Sequence, residues 1–231
     1  MKPFAAFLLA SSCLGLPASA ELEGDIPLGL EAVTGFRSSY VHRGFDLAGP
    51  VLDFQLEGEA VLREDLSVHL GGWFATEISD NFTEGAGFID LRYDLSERFT
   101  LGASATYRAY DHSFFKNGFD LGTFLTWYVG EEWDLTVDAY RDFGADAWYA
   151  NAESGWSYRL SDDAYLGLTG GVSVVDGYYG RSGLNDVYGR ASLTYNLTSS
   201  ISLTPFVALS IELEEADGDE IFGGLWFEVS F

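Results

Sequence analysis

The sequence predicts an all-β protein: a single closed antiparallel transmembrane β-barrel of about 12 strands, with short turns at one end and longer loops at the other. Three observations predict it. Apolar and polar residues alternate with period two over long segments, a three-residue turn recurs every 31–37 residues, and the strands so delimited are even in number. No segment shows a 3.6-residue period, and no stretch reaches ~18 uninterrupted apolar residues, which excludes helical spans.

The first element, residues 1–20, reads as a cleaved signal peptide. Lys2 supplies the positive start, Phe4 to Leu16 is apolar, and Ala18-Ser19-Ala20 is a small-x-small cleavage site. Residues 21–231 are then the barrel. Its strands are expected at 28–40, 51–62, 66–76, 87–95, 99–109, 119–129, 133–142, 147–160, 164–175, 187–197, 201–214 and 220–231. In the second, Leu52, Phe54, Leu56, Ala60 and Leu62 share one face, and Asp53, Gln55, Glu57 and Glu59 take the other. In the fifth, Leu101, Ala103, Ala105 and Tyr107 oppose Thr100, Ser104, Thr106 and Arg108. The strand from Ala147 has a mixed face, and Pro205 inside the eleventh implies either a bulge or a slipped register, because proline donates no ladder hydrogen bond.

The short turns are Arg63-Glu64-Asp65, Ser96-Glu97-Arg98, Gly130-Glu131-Glu132, Ser161-Asp162-Asp163 and Thr198-Ser199-Ser200, each between apolar residues. The connections at the other end, 41–50, 77–86, 110–118, 143–146, 176–186 and 215–219, are longer and polar. Short periplasmic turns and long extracellular loops are the asymmetry of outer-membrane barrels. Outward aromatics gather at both strand ends: Tyr93, Phe99, Trp127, Trp133, Tyr158 and Tyr195 by the turns, Phe36, Phe74, Tyr107, Phe119 and Trp148 by the loops. A soluble sandwich could bury the same faces, but it would leave two exposed edges that closure removes.

Composition excludes several functions. Against 36 acidic residues stand only 12 Lys+Arg, a formal charge of −24, and the cations are scattered singly, so nucleic-acid binding is excluded. One cysteine rules out a disulfide scaffold and a cysteine-based metal module. No nucleotide fingerprint or metal-ligand spacing appears, and no cofactor is expected. The loop from Glu214 to Glu220 carries five carboxylates, which could hold Ca²⁺ or simply face solvent; it lacks a calcium-loop spacing.

Inward parity collects the expected pore lining. The acids are Glu31, Asp53, Glu57, Glu59, Asp90, Asp94, Asp120, Asp134, Asp138, Glu153, Glu212 and Glu228, and the bases are Arg37, Arg92, Arg108, Arg159 and Arg190. An acidic, watery lumen would concentrate cations. Two readings stay open: a narrow water-filled pore, or a plug in which arginines and carboxylates pair, narrowed further by inward Trp73, Tyr128, Tyr140, Tyr149, Tyr165, Phe206, Phe222 and Trp226. Of the histidines, His42 and His112 fall in loops and His69 on an inward face. None has the flanking motif of a barrel hydrolase, so no catalytic residue is assigned.

The chain ends Gly224-Leu-Trp-Phe-Glu-Val-Ser-Phe231, which resembles the C-terminal assembly signal of Gram-negative outer-membrane barrels; Gly224, Phe227, Val229 and Phe231 carry the likeness. Ser38-Ser-Tyr-Val-His-Arg-Gly-Phe45 resembles the first-strand motif of TorF-family porins, with His42 at a position that family usually fills with an aromatic. The resemblance implies an outer-membrane porin without catalytic residues and places Arg43-Gly44 at the extracellular rim, the arginine pairing with loop acids. The resulting expectation is a passive outer-membrane channel for small cationic or neutral solutes. Its partners are outer-membrane lipid, lipopolysaccharide and the barrel-assembly machinery. The alternatives are a non-conducting structural or partner-binding barrel and, less favoured, a barrel hydrolase.

Overall fold

The computed structural model describes residues 20–21, 27–112, 114–213 and 218–231. The signal-peptide reading (apart from Ala20), Ser113 and most of the acidic loop, 214–217, lie outside the described residues. Twelve long strands follow one another: β1 (Pro27–Arg37), β2 (Val51–Arg63), β3 (Leu66–Glu77), β4 (Thr83–Ser96), β5 (Phe99–Asp111) and β6 (Gly118–Val129), then β7 (Trp133–Asp142), β8 (Ala147–Arg159), β9 (Ala164–Tyr178), β10 (Arg181–Thr198), β11 (Ile201–Glu212) and β12 (Glu220–Ser230). Each pairs antiparallel with its neighbours in sequence. β1 pairs with β2, Arg37 facing Val51, and also with β12, Arg37 facing Gly224, so the sheet closes on itself. Among the described residues no helix is long and apolar enough to cross a membrane.

The alternation is inverted relative to a soluble protein, since the buried side of the wall is the polar one. On β2, Leu56 is 59% exposed and its neighbour Glu57 only 5%. Leu101 and Leu125, paired across β5 and β6, face outward in the same way, and Phe99 stacks on Trp127 at 6.1 Å in the girdle by the short turns. Tyr107 and Phe119 meet at a tilt, 4.9 Å apart, by the long loops. β8 resolves its mixed face by burying Ala147, Tyr149, Asn151 and Glu153 while Trp148 faces out. Pro205 causes neither bulge nor slip. It points outward opposite Leu225, and the β10–β11 ladder only omits bridges between Tyr195↔Leu203 and Ser192↔Phe206 before resuming in the same register.

Three expected loops are corrected. Residues 83–86 belong to β4, and the segment 176–186 is mostly strand, with β9 and β10 joined by Tyr179-Gly180, both in the left-handed region that a two-residue hairpin turn demands. β1 stops at Arg37. Beyond it, Tyr40–His42 and Phe45–Ala48 form a small antiparallel hairpin around Arg43 (φ 52°) and Gly44 (φ 77°), and its buried side chains sit within the barrel mouth.

Candidate functional site

The hairpin of residues 38–48 fills the long-loop end of the lumen because its side chains find both apolar and charged partners there. Tyr40, Phe45, Leu47 and Ala48 join Val51, Phe82, Phe115, Tyr149 and Tyr178 in one buried cluster. Phe45 meets the rings of Phe115 at 5.6 Å and Tyr178 at 5.8 Å, and the Arg181 guanidinium lies 3.6 Å from its centre. The backbone at the tip is satisfied as well: Arg181 donates to the Gly44 carbonyl (3.0 Å) and Asn185 to that of Arg43 (2.9 Å).

The charges beneath are paired in chains. Arg43 donates to Asp120 (2.7 Å) and Asp142 (3.2 Å) and to the Tyr178 hydroxyl (3.1 Å). Arg108 bridges Glu84 (2.9 Å) and Asp120 (3.1 Å), and Glu84 accepts the Tyr40 hydroxyl (2.8 Å). Arg37 pairs with Asp53 (2.6 Å), and Arg181 with Glu212 (3.2 Å). Arg43 therefore does not close the first strand at the rim against loop acids. It reaches inward to acids of the wall.

Of the residues expected in the lumen, Asp53, Glu57, Asp120, Asp138, Glu153, Glu228, Arg37 and Arg108 are buried on its wall. Glu31, Glu59, Asp90, Asp134, Glu212, Arg92 and Arg190 are partly buried there. Arg159 is corrected: it has inward parity but lies at the exposed end of β8 and turns to Asp162 in the adjacent turn (2.7 Å). The expected lining also omits Arg43, Glu84, Asp142, Arg181, Asn185 and Asp186, although Asp142 shares the parity of Asp134 and Asp138. Glu84 was legible, since it continues the inward series of Ala86 and Asp90, whereas Arg43 sits on a hairpin whose direction no local pattern encodes.

Below the hairpin is a cavity of about 230 Å³. Its wall carries Asp53, Glu57, Asp90, Asp120, Asp138, Glu153 and Asp186 against Arg37, Arg43, Arg92, Arg108 and Arg190, a small acidic excess, while much of the chain's charge sits on turns and loops. The inward aromatics subtract less width than their size suggests. Trp226, Tyr140, Tyr188 and Phe206 lie against Gly35, Gly122, Gly171 and Gly224 of neighbouring strands, where a Cβ would collide with the side chain. Trp226 also stacks on Phe206 (4.1 Å) and carries the Arg190 guanidinium over its face (5.0 Å).

The histidines separate by environment. His69 directs Nδ1 at Glu57 (3.1 Å) and Nε2 at Glu59 (3.0 Å), nearer than Ser67 (3.4 Å), so its ring is engaged by carboxylates rather than turned to activate the hydroxyl. His42 is buried in the hairpin, and His112 lies in a loop between the rings of Phe82 and Phe115. Among the described residues no His/Cys/Asp/Glu group has metal-site geometry.

No protein-family model matches the chain, and no curated protein does either. Solved structures do. The KdgM porin superposes with a TM-score of 0.56 at 7% identity, over 88% of this chain and 98% of that one. The COG4313 outer membrane channel from Pseudomonas putida F1 gives 0.55 at 14%, over 92% and 97%. The CymD monoaromatic hydrocarbon channel gives 0.56 at 8%, over 98% and 92%. Likeness at such identities is one of fold, and the fold shared is the closed antiparallel β-barrel.

Proposed function

We propose that this barrel is a narrow outer-membrane channel of a Gram-negative bacterium, passing small cationic or neutral solutes passively, with its short turns in the periplasm and its loops outside. The observation that carries the reading is a wall inverted to place charged and polar side chains around an internal cavity while an apolar belt faces outward. Such charges are costly in a dry interior and useful beside water. Structures with the same fold are described as a porin and as channels, and Ser38–Phe45 adds the TorF-family resemblance at the hairpin itself. The seated hairpin favours a second reading, a closed barrel that acts through its loops.

Single-channel recording in planar bilayers separates the two. The protein should show ohmic steps with a reversal potential favouring K⁺ over Cl⁻ in a KCl gradient. A unit charge 4 Å from a passing ion contributes about 1 kcal/mol in water, so Glu57→Gln with Glu59→Gln, which removes two such charges, should lower that preference by up to roughly thirtyfold while the barrel stays heat-modifiable. A folded barrel silent under all voltages would sink the channel reading.

Assembly supplies a second expected result. β12 reads as the segment recognised by the assembly machinery, so removing Phe231 should lower the amount of heat-modifiable barrel recovered in outer membranes. Undiminished recovery would remove the role given to Gly224, Phe227, Val229 and Phe231.

A further inference from the structure

The Arg43 guanidinium is held as a ligand would be. Asp120 and Asp142 accept from it at 2.7 and 3.2 Å, and the Tyr178 hydroxyl accepts at 3.1 Å. The rings of Tyr149, Tyr178 and Tyr140 stand 4.9, 5.4 and 5.7 Å from its central carbon, all within the range of cation–π attraction. Three aromatic rings and two carboxylates around one planar cation are a cage for guanidinium or alkylammonium, and its occupant comes from the tip of a hairpin rather than from the barrel wall.

We infer that this cage is a binding site for organic cations of the guanidinium and alkylammonium type, and that Arg43 is a tethered stand-in which holds the mouth shut until such a solute displaces it. The inference rests on the channel reading and gives it a solute class. Charge balance supports it. With Arg43 seated, it and Arg108 face Asp120, Asp142 and Glu84; without it, one guanidinium faces three carboxylates, a deficit that calls for another cation. The lumenal cavity touches Arg43, Asp120, Tyr140 and Tyr149, so the cage adjoins the space a solute would traverse. A group tethered by a short segment competes at an effective concentration of the order of millimolar. A solute of equal affinity therefore displaces it only at similar concentrations, which suits passage and not storage.

The test uses the purified full barrel in planar bilayers with methylguanidinium chloride as probe and NaCl as reference. Arg43→Ala should open more widely than wild type and be blocked saturably by methylguanidinium, at lower concentration than is needed to displace the tethered arginine of wild type, with no block by sodium. Adding Asp142→Asn removes a charge-assisted acceptor and should weaken that block about tenfold. If Arg43→Ala conducts but treats the two cations alike, the cage assignment falls and the channel reading stands. If the bilayer stays silent while calorimetry in detergent records saturable methylguanidinium binding to Arg43→Ala, the cage stands and the channel reading falls. Should Arg43→Ala not fold, wild type answers by itself: methylguanidinium should increase its open probability, and no change relative to sodium overturns the inference.

Discussion

Replacing Arg108 with methionine is expected to destabilise the folded barrel by about 3–5 kcal/mol, read as a shift in urea unfolding of the reconstituted protein. Arg108 is 4% exposed, and it bridges Glu84, which is fully buried, to Asp120. Methionine fills similar space but leaves Glu84 without a cation and Asp120 with Arg43 alone, and the cost of an unpaired buried charge exceeds what the pair contributed when intact. Glu84→Gln added to Arg108→Met should recover much of the loss, because it removes the stranded charge while keeping an acceptor for the Tyr40 hydroxyl. Unchanged stability of Arg108→Met would mean that water reaches Glu84 and hydrates it, so that the lumen is wet at that level.

Leu56→Arg should cost about 2–4 kcal/mol, the penalty of a cation at the lipid-facing midplane of a transmembrane barrel. Leu56 lies mid-strand between Ala32 of β1 and Gly72 of β3, small neighbours that offer no acceptor to a guanidinium. The readout is the fraction folding into liposomes, compared with Leu56→Phe, which should fold normally. Neutrality of the arginine variant would invert the face of β2, since a one-residue slip exchanges lumen for lipid along the whole strand.

Most of the wall was legible because two local signals act together. Turn triplets fix where a hairpin reverses, so β7 begins and ends where the alternation predicted, and period-two parity then fixes which way Asp53, Glu57, Asp120, Asp138 and Glu153 point. The same logic fails where composition imitates a loop. Residues 83–86 and 181–186 are rich in glycine and polar groups, but a strand whose inner face is polar and hydrated need not look apolar, so polarity there marks the lumen side of β4 and β10. Arg159 shows the opposite failure: correct parity at a position too near the strand end to face the cavity. The hairpin was illegible for a stronger reason. Its side chains and carbonyls are held by Asp120, 77 positions away, and Asn185, 142 positions away, and no window of sequence contains both partners.

The seam where β1 meets β12 makes the ring a problem of chain entropy. It brings Arg37 beside Gly224, 187 positions distant, whereas the ends of β1 and β2 that meet, Arg37 and Val51, are only 14 apart. By the logarithmic growth of loop-closure cost, joining the seam demands about 2 kcal/mol more than joining β1 to β2, and no local turn lowers it. The seam has only seven register pairs with which to offset that, against ten between β1 and β2. A weakened barrel is therefore expected to reopen there first, as a curved sheet with every other hairpin intact. Arg43, Arg181 and Asn185, which tie the segment following β1 to strands across the lumen, act as cross-braces on that joint.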